Sequence, residues 1–221
     1  MAGRRARDGW LSDARIASLA ALDAADVAHD AQLDEAVLRD VDLAGLDASH
    51  LALRECALER VDLRDATLER LLTDSVRVDD CDLANTRGNR ASLAWTEIRN
   101  SRATGLDLAE SSMRQVVFRG CRLDLASFRF VEGETVRFED CTLHEADLTG
   151  AVLHDAAFVN CKLDAVDLTR ADLDGADLTT STLTEVRGVG GLRGARLRAE
   201  QLVTLVPALA AHVGIVVEPG G

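Results

Sequence analysis

The sequence predicts an all-β solenoid of about eight four-sided coils, closed at its C-terminal end by a helical cap. Two periods and the composition lead there. Every fifth residue from Leu33 to Leu183 forms a set of 31 positions. Nineteen are Leu, four are Phe (Phe118, Phe128, Phe138 and Phe158), and Val78, Ile98 and Met113 raise the large apolar total to 26. The residue two places earlier is Ala, Val, Cys, Ser or Thr in 27 of these pentads and Leu in the other four. Helices repeat at 3.6 residues and strands at 2, so neither holds a phase of five over such a length. The second period is twenty. VVFRGCRL (116–123), VRFEDCTL (136–143) and AAFVNCKL (156–163) share FxxCxL, and VRVDDCDL (76–83) fits with Val78 in place of Phe. Four pentads per coil stack Phe118, Phe138 and Phe158 in one column, and Cys121, Cys141 and Cys161 in another, about 4.8 Å apart. A chain of 221 residues, 47% hydrophobic and 29% charged, suffices for one such core.

The elements follow in order. Residues 1–30 form an N-terminal cap segment. MAGRRARDGW is basic but no apolar run follows it, so no secretory signal is expected. Trp10, Leu11 and Ile16 are expected to plug the first coil, with a short helix over 12–21. Residues 31–187 are the repeats. In each side the central Leu or Phe and the small residue before it face the axis, and the other three face water. Where the centre shrinks to Ala48 or Thr73, the inward neighbour grows to Leu46 or Leu71, which conserves core volume. Gly88, Ala103 and Gly133 have no such compensation, and distortion or cavities are expected there. Residues 188–221 leave the register after Val186 and form the C-terminal cap, because an uncapped end coil exposes apolar cross-section and unpaired edges. Gln201, Leu202, Leu205, Leu209 and Val213 have helical spacing, and Pro207 is expected to open a second short helix.

The motifs ADLTGAVL, ADLDGADL and VDLTRADL resemble the A(D/N)Lxx signature of pentapeptide-repeat proteins across residues 31–187. That resemblance implies a right-handed quadrilateral β-helix. The tail is similar to the helical caps through which quinolone-resistance members dimerise, which implies a homodimer through this segment, with Leu202, Leu205, Leu209 and Val213 as the candidate dimer or cap residues. The unbroken run of pentads resembles the loop-free type of these proteins. Quinolone-resistance and toxin-immunity members imply a DNA mimic that binds a type II topoisomerase such as DNA gyrase, modulating or protecting it. A scaffold for an unrelated protein partner is the alternative.

Charge bounds the partners. A net charge of −13 and a pI near 4.8 oppose direct binding to nucleic acid or membranes and favour a basic partner. Residues 31–86 carry 14 acids and 6 bases, residues 87–129 carry 4 and 8, and residues 130–185 carry 13 and 3. The last block holds outward Glu145, Asp147, Asp155, Asp164, Asp167, Asp172, Asp174 and Asp177, the candidate acidic partner-binding residues. Its density is about 0.75 charge per Å at the strand spacing, against roughly 0.6 per Å for duplex DNA. The basic middle block does not match DNA.

No enzyme chemistry emerges. His29, His50, His144, His154 and His212 show no metal-ligand spacing and read as surface residues. The five cysteines lack CxxC pairs, so neither disulfides nor zinc is expected, and the inward thiols read as core filler. No dinucleotide fingerprint, P-loop or nucleophile elbow is present, and flat convex faces offer the carboxylates no pocket. The reading is a non-enzyme without cofactor or metal. No run approaches 18 apolar residues, so the cytoplasm is expected, and the single lysine, Lys162, reads as GC-rich bacterial coding. Leu72, Trp95, Leu125 and Phe130 fall at water-facing positions. Leu125 and Phe130, on adjoining sides of one coil, are the candidate apolar contact.

Overall fold

The computed structural model describes residues 10–216 as a stack of parallel coils with a register of twenty. The strands are β1 (Ala20–Leu22), β2 (Gln32–Asp34), β3 (Ala36–Arg39), β4 (Ala52–Arg54), β5 (Ala57–Glu59), β6 (Leu72–Asp79), β7 (Ser92–Arg99), β8 (Ser112–Arg119), β9 (Glu132–Glu139), β10 (Ala157–Val159), β11 (Lys162–Asp164) and β12 (Thr182–Thr184). Helices α1 (Asp13–Ile16) and α2 (Ala199–His212) flank them. Phe118 pairs with Phe138 and Phe138 with Phe158, so like residues stack one coil apart. Taking residues 141–145, 146–150, 151–155 and 156–160 as walls A, B, C and D, β6 to β9 run continuously over C and D. Walls A and B are mostly ladders of single bridges, such as Asp42, Asp62, Asp82 and Arg102, with β11 and β12 pairing on wall A near the C-terminal end.

The pentad has a backbone cause. From residue 30 to 185, every fifth residue except Thr180 has φ near +55°, 26 of them non-glycine and five glycine. In walls such as 41–45 the corner is a turn closed by Leu46 N–H donating to Leu43 C=O at 3.1 Å, with Gly45 at φ +69° in the third place, as a type II turn requires. The corner amides are not lost. Asp40 N–H donates to Glu59 C=O at 3.1 Å and His50 N–H to Glu69 C=O at 2.8 Å, each reaching the next coil.

Inside, the Phe column is a ladder. Rings of Phe118 and Phe138 stack at 5.1 Å and those of Phe138 and Phe158 at 4.8 Å, while Phe128 from the opposite wall presents its edge to Phe118 and Phe138. All four are buried. The inward thiols donate back to the preceding coil, Cys121 to Ile98 C=O at 3.3 Å and Cys161 to Phe138 C=O at 3.4 Å. Thr86 to Leu63 C=O and Ser181 to Phe158 C=O repeat that bond at 2.7 and 2.8 Å, so cysteine here is one of several small donors. Burial pushes the Cys81 thiol up to about 11, which suits filler rather than a nucleophile.

The three uncompensated centres behave differently. A cavity of about 70 Å³ in the N-terminal half touches Thr73 and Gly88, and Thr73 and Thr96 satisfy each other at 2.7 Å. Gly133 leaves no hole: a Cβ there would meet Leu153 and Val136 at 2.5 and 2.7 Å. Ala103 is buried and does not line the cavity.

Both ends correct the sequence reading. The N-terminal segment does not plug the bore with a helix over 12–21. Helix α1 is one turn long and lies on the outside of wall D, where Leu11 and Ile16 bury against outward Val37 and Ala57. Arg15 pairs with Glu35 and Glu55 at 3.0 and 2.8 Å, Asp13 holds Arg77, and Trp10 meets Trp95 edge-on at 5.6 Å. Wall D has small apolar residues at these two outward positions, so burying them beside the rod is worth more than leaving them in water. The end itself is covered by β1, paired with β3 sixteen residues on (Ala20 with Ala36), and by Val27. At the other end α2 is one continuous helix with Pro207 inside it, not two. Proline removes one bond, to the carbonyl of Val203, and Val203 is exposed. Gln201 Nε2 donates to Leu178 C=O and Ser181 C=O at 2.8 and 2.6 Å, and Thr204 Oγ1 to Leu183 C=O at 2.6 Å. Side chains thereby satisfy the final coil's open edge.

Phe138 sits between two stacked rings and against a third, so Phe138→Ala should cost about 3–5 kcal/mol. A denaturant melt losing less than about 1 kcal/mol would contradict the ring ladder as a core element.

Candidate interaction face

The eight outward acids do not form one stripe. Glu145 and Asp164 lie on wall A, Asp147 and Asp167 on B, Asp155, Asp172 and Asp174 on C, and Asp177 on D. Many have local work. Asp147, Asp167, Asp172 and Asp177 each accept the amide two residues on, from Thr149, Thr169, Asp174 and Thr179 at 2.8 to 3.2 Å. Asp42, Asp47, Asp62, Asp82 and Asp107 do the same. This Asp is the second letter of the repeat motif, and its role is to satisfy the turn. The same carboxylates also take cations. Asp147 pairs with Arg129 at 3.1 Å, Asp167 with Arg187 at 3.3 Å, Asp177 with Arg196 at 2.9 Å and Asp172 with His154 at 2.8 Å.

Wall C is where exposed carboxylates gather most densely. Glu132, Val152 and Asp172 share one column, and Glu134, His154 and Asp174 lie in the column two residues on. Glu132, Glu134, Asp155, Asp172 and Asp174 are all exposed, with His154 among them and Arg114 beside Glu134 in the same column. Glu132 and Glu134 escape the sequence reading, although their spacing of forty residues from Asp172 and Asp174 is the available signal. The basic middle block is largely spent on neighbours: Arg90 on Glu110 at 3.0 Å, Arg102 on Asp82 at 3.3 Å, and Arg119 on Glu139 at 2.8 Å.

The apolar candidates divide. Leu125 and Phe130 are exposed corner residues at φ 60° and 54°. The Phe130 ring lies over Gly150 of the next coil, where a Cβ would come within 2.5 Å of it, and Arg129 covers its face at 5.6 Å. Trp95 is taken by Trp10. Leu205 is 1% exposed and belongs to the cap, whereas Leu202, Leu209 and Val213 are exposed, joined by Val203, 73% exposed, and Val206. The sequence reading also misses a meeting of His29, Asp30 and His50, because residues 21 apart become neighbours only once the coil is twenty long. Among the described residues no helix is long and apolar enough to cross a membrane.

The family model for pentapeptide repeats matches eight copies, over residues 30–70, 136–164 and 161–187. Similar solved structures include full-length QnrB1, a plasmid-mediated fluoroquinolone resistance protein, at 18% identity over 89% of this chain and 95% of that one, TM-score 0.38. HetL, a pentapeptide repeat protein involved in heterocyst differentiation regulation in the cyanobacterium Nostoc, is similar at 20% identity over 75% and 86%, TM-score 0.40. No curated protein is a detectable sequence match.

The turn-capping carboxylates give a signed pH dependence. Asp47 is held below the usual carboxylate range by the Ser49 hydroxyl and amide, Asp62 by Arg64, Asp172 by His154 and the Asp174 amide, and Asp177 by the Thr179 amide and hydroxyl. Folded values lie below the unfolded value of about 3.9, so this stabilisation is complete above that pH and is lost as pH falls through the folded values. The thermal midpoint should fall steeply below about pH 4; a midpoint unchanged into that range would contradict the capping role.

Proposed function

With pentapeptide repeats matched over residues 30–70 and 136–187, we propose that the chain is a pentapeptide-repeat protein and a non-enzymatic protein-binding rod, acting as a homodimer and docking a basic protein surface along wall C. The observation that supports this best is the strip of Glu132, Glu134, Asp155, Asp172 and Asp174, exposed on one wall of a rigid scaffold. Carboxylates fixed on a stiff backbone steer and orient a cationic partner without an ordering cost at encounter. A type II topoisomerase such as DNA gyrase is the partner this reading names, since a rod carrying a balance of −10 over residues 130–185 offers a DNA-binding surface a comparable line charge. The cytoplasm is the compartment this role requires.

The second reading, a scaffold for another protein, draws on a different observation. Four of the eight outward acids singled out are paired with Arg or His and also cap turns, so part of the negative charge holds the rod together rather than facing a partner. The two readings separate in a supercoiling assay with gyrase, with and without a quinolone. The mimic requires that the wild type alter supercoiling at low salt and lose the effect as salt rises. Replacing Glu132, Glu134, Asp155 and Asp174 by amides should abolish it with the melt unchanged, because these four cap no turn. No effect of wild type on gyrase leaves the scaffold.

Dimerisation is assigned to the outer flank of α2. Leu202, Val203, Val206, Leu209 and Val213 present apolar surface there, while Leu205 faces the core. Val203→Glu with Val206→Glu should give a folded monomer by sedimentation, and truncation after Gly188 should give aggregate, since it uncovers the last coil. A wild type that sediments as a monomer at high micromolar concentration removes the dimer.

A further inference from the structure

His29, Asp30 and His50 converge at the corner where the first coils meet. The backbone fixes two of them. Asp30 and His50 both hold left-handed corner positions, at φ 59° and 62°, one coil apart, with Asp30 N–H donating to Ser49 C=O at 3.0 Å and His50 N–H to Glu69 C=O at 2.8 Å. The Asp30 carboxylate lies between the two imidazoles, with Oδ2 3.3 Å from His29 Nε2 and Oδ1 3.6 Å from His50 Nδ1. The rings meet edge to face at 5.2 Å. One donor atom from each residue falls within 4.8 Å of the others. A tetrahedral ion with bonds of about 2.0–2.1 Å sets its ligand atoms roughly 3.3 Å apart. Two carboxylate–imidazole approaches are already near that length, and His29, exposed, is free to turn inward to close the third.

We propose that His29, Asp30 and His50 form a surface site for a divalent transition-metal ion, zinc by preference. Two imidazole nitrogens and one carboxylate suit zinc, nickel or copper, whereas calcium and magnesium take oxygen donors. The opposing group is Arg70, stacked one coil beyond His50, whose Nη1 lies 3.3 Å from His50 Nε2. Arginine can only donate, so His50 Nε2 accepts and the ring proton sits on Nδ1, facing Asp30. An ion at Nδ1 displaces that proton, and Arg70 must then turn away. The ion would tie the turn at residues 29–30 to the coil above it, at the end of the rod where the coil is shortest. Three protein ligands leave a fourth tetrahedral position for water or for a donor from a partner.

The test is a zinc titration of the tag-free full-length protein against a chromogenic chelator, with thermal melts in parallel. The wild type should bind one equivalent and melt higher with zinc. His29→Ala and His50→Ala should each weaken binding by at least roughly ten-fold and lose the zinc-dependent rise, while their metal-free melts report that the fold is intact. Arg70→Ala should tighten binding. His154→Ala removes the other exposed imidazole paired with an aspartate and should change nothing. Wild-type protein without a stoichiometric zinc site, or binding that survives His29→Ala and His50→Ala, overturns the proposal; binding lost in His154→Ala relocates the ion and overturns it equally.

Discussion

A left-handed residue at every fifth position is the constraint on which the rest of this rod depends. Such a conformation costs an L-residue about 1–2 kcal/mol, and the chain adopts it at 26 non-glycine corners, among them Trp95, Leu125, Phe130 and Thr135. No corner would hold alone. Most are over-determined by their neighbours: the amide donates to the next coil, the residue two before it, usually Leu or Phe, is sealed in the core, and in many pentads an aspartate closes the turn from outside. The corner sets the pentad, four corners close a coil, and the closed coil fixes the columns. Parallel strands otherwise need long crossovers; here the crossover is the other three walls.

Acidity takes on a different meaning against that background. The repeat's aspartate sits beside the inward Leu with its carboxylate directed at the turn, so a long series of pentads accumulates negative charge as a by-product of turn chemistry. Arginines from adjoining coils neutralise much of it, in the middle of the rod above all. What distinguishes this chain is therefore where exposed carboxylates cluster, on wall C between Glu132 and Asp174, and not its total charge.

The core is legible in the sequence because its positions have a single requirement. Leu, Phe and small residues recur where only volume and apolarity matter, and the twenty-residue spacing of the Phe and Cys positions gives the coil length directly. The corners are not legible: Gly, Asn or Asp, the residues that tolerate positive φ, occupy fourteen of the 31, and the others are mostly long charged side chains. The two ends defeat sequence reasoning for a related reason. Outside the repeat there is no phase to follow, and nothing local reveals that Val37 and Ala57, outward on wall D, offer Leu11 and Ile16 a better seat than the open bore. Pro207 suggests a helix start because a lone proline gives no sign that its missing bond falls at an exposed carbonyl. The acidic residues are legible as charges but not as caps, since capping depends on the turn that the corner creates.

The twenty-residue register also governs how such a chain can change length. Inserting or deleting five residues preserves the pentad and the core, yet it turns everything downstream by a quarter of a revolution. Glu132 would no longer lie in line with Asp172, the Phe column would break into two walls, and α2 would point its apolar flank in a new direction relative to the acidic strip. A whole coil, by contrast, lengthens the rod and leaves every azimuth as it was. Growth by duplication is thus quantised twice: in fives for an intact core, and in twenties for an intact surface.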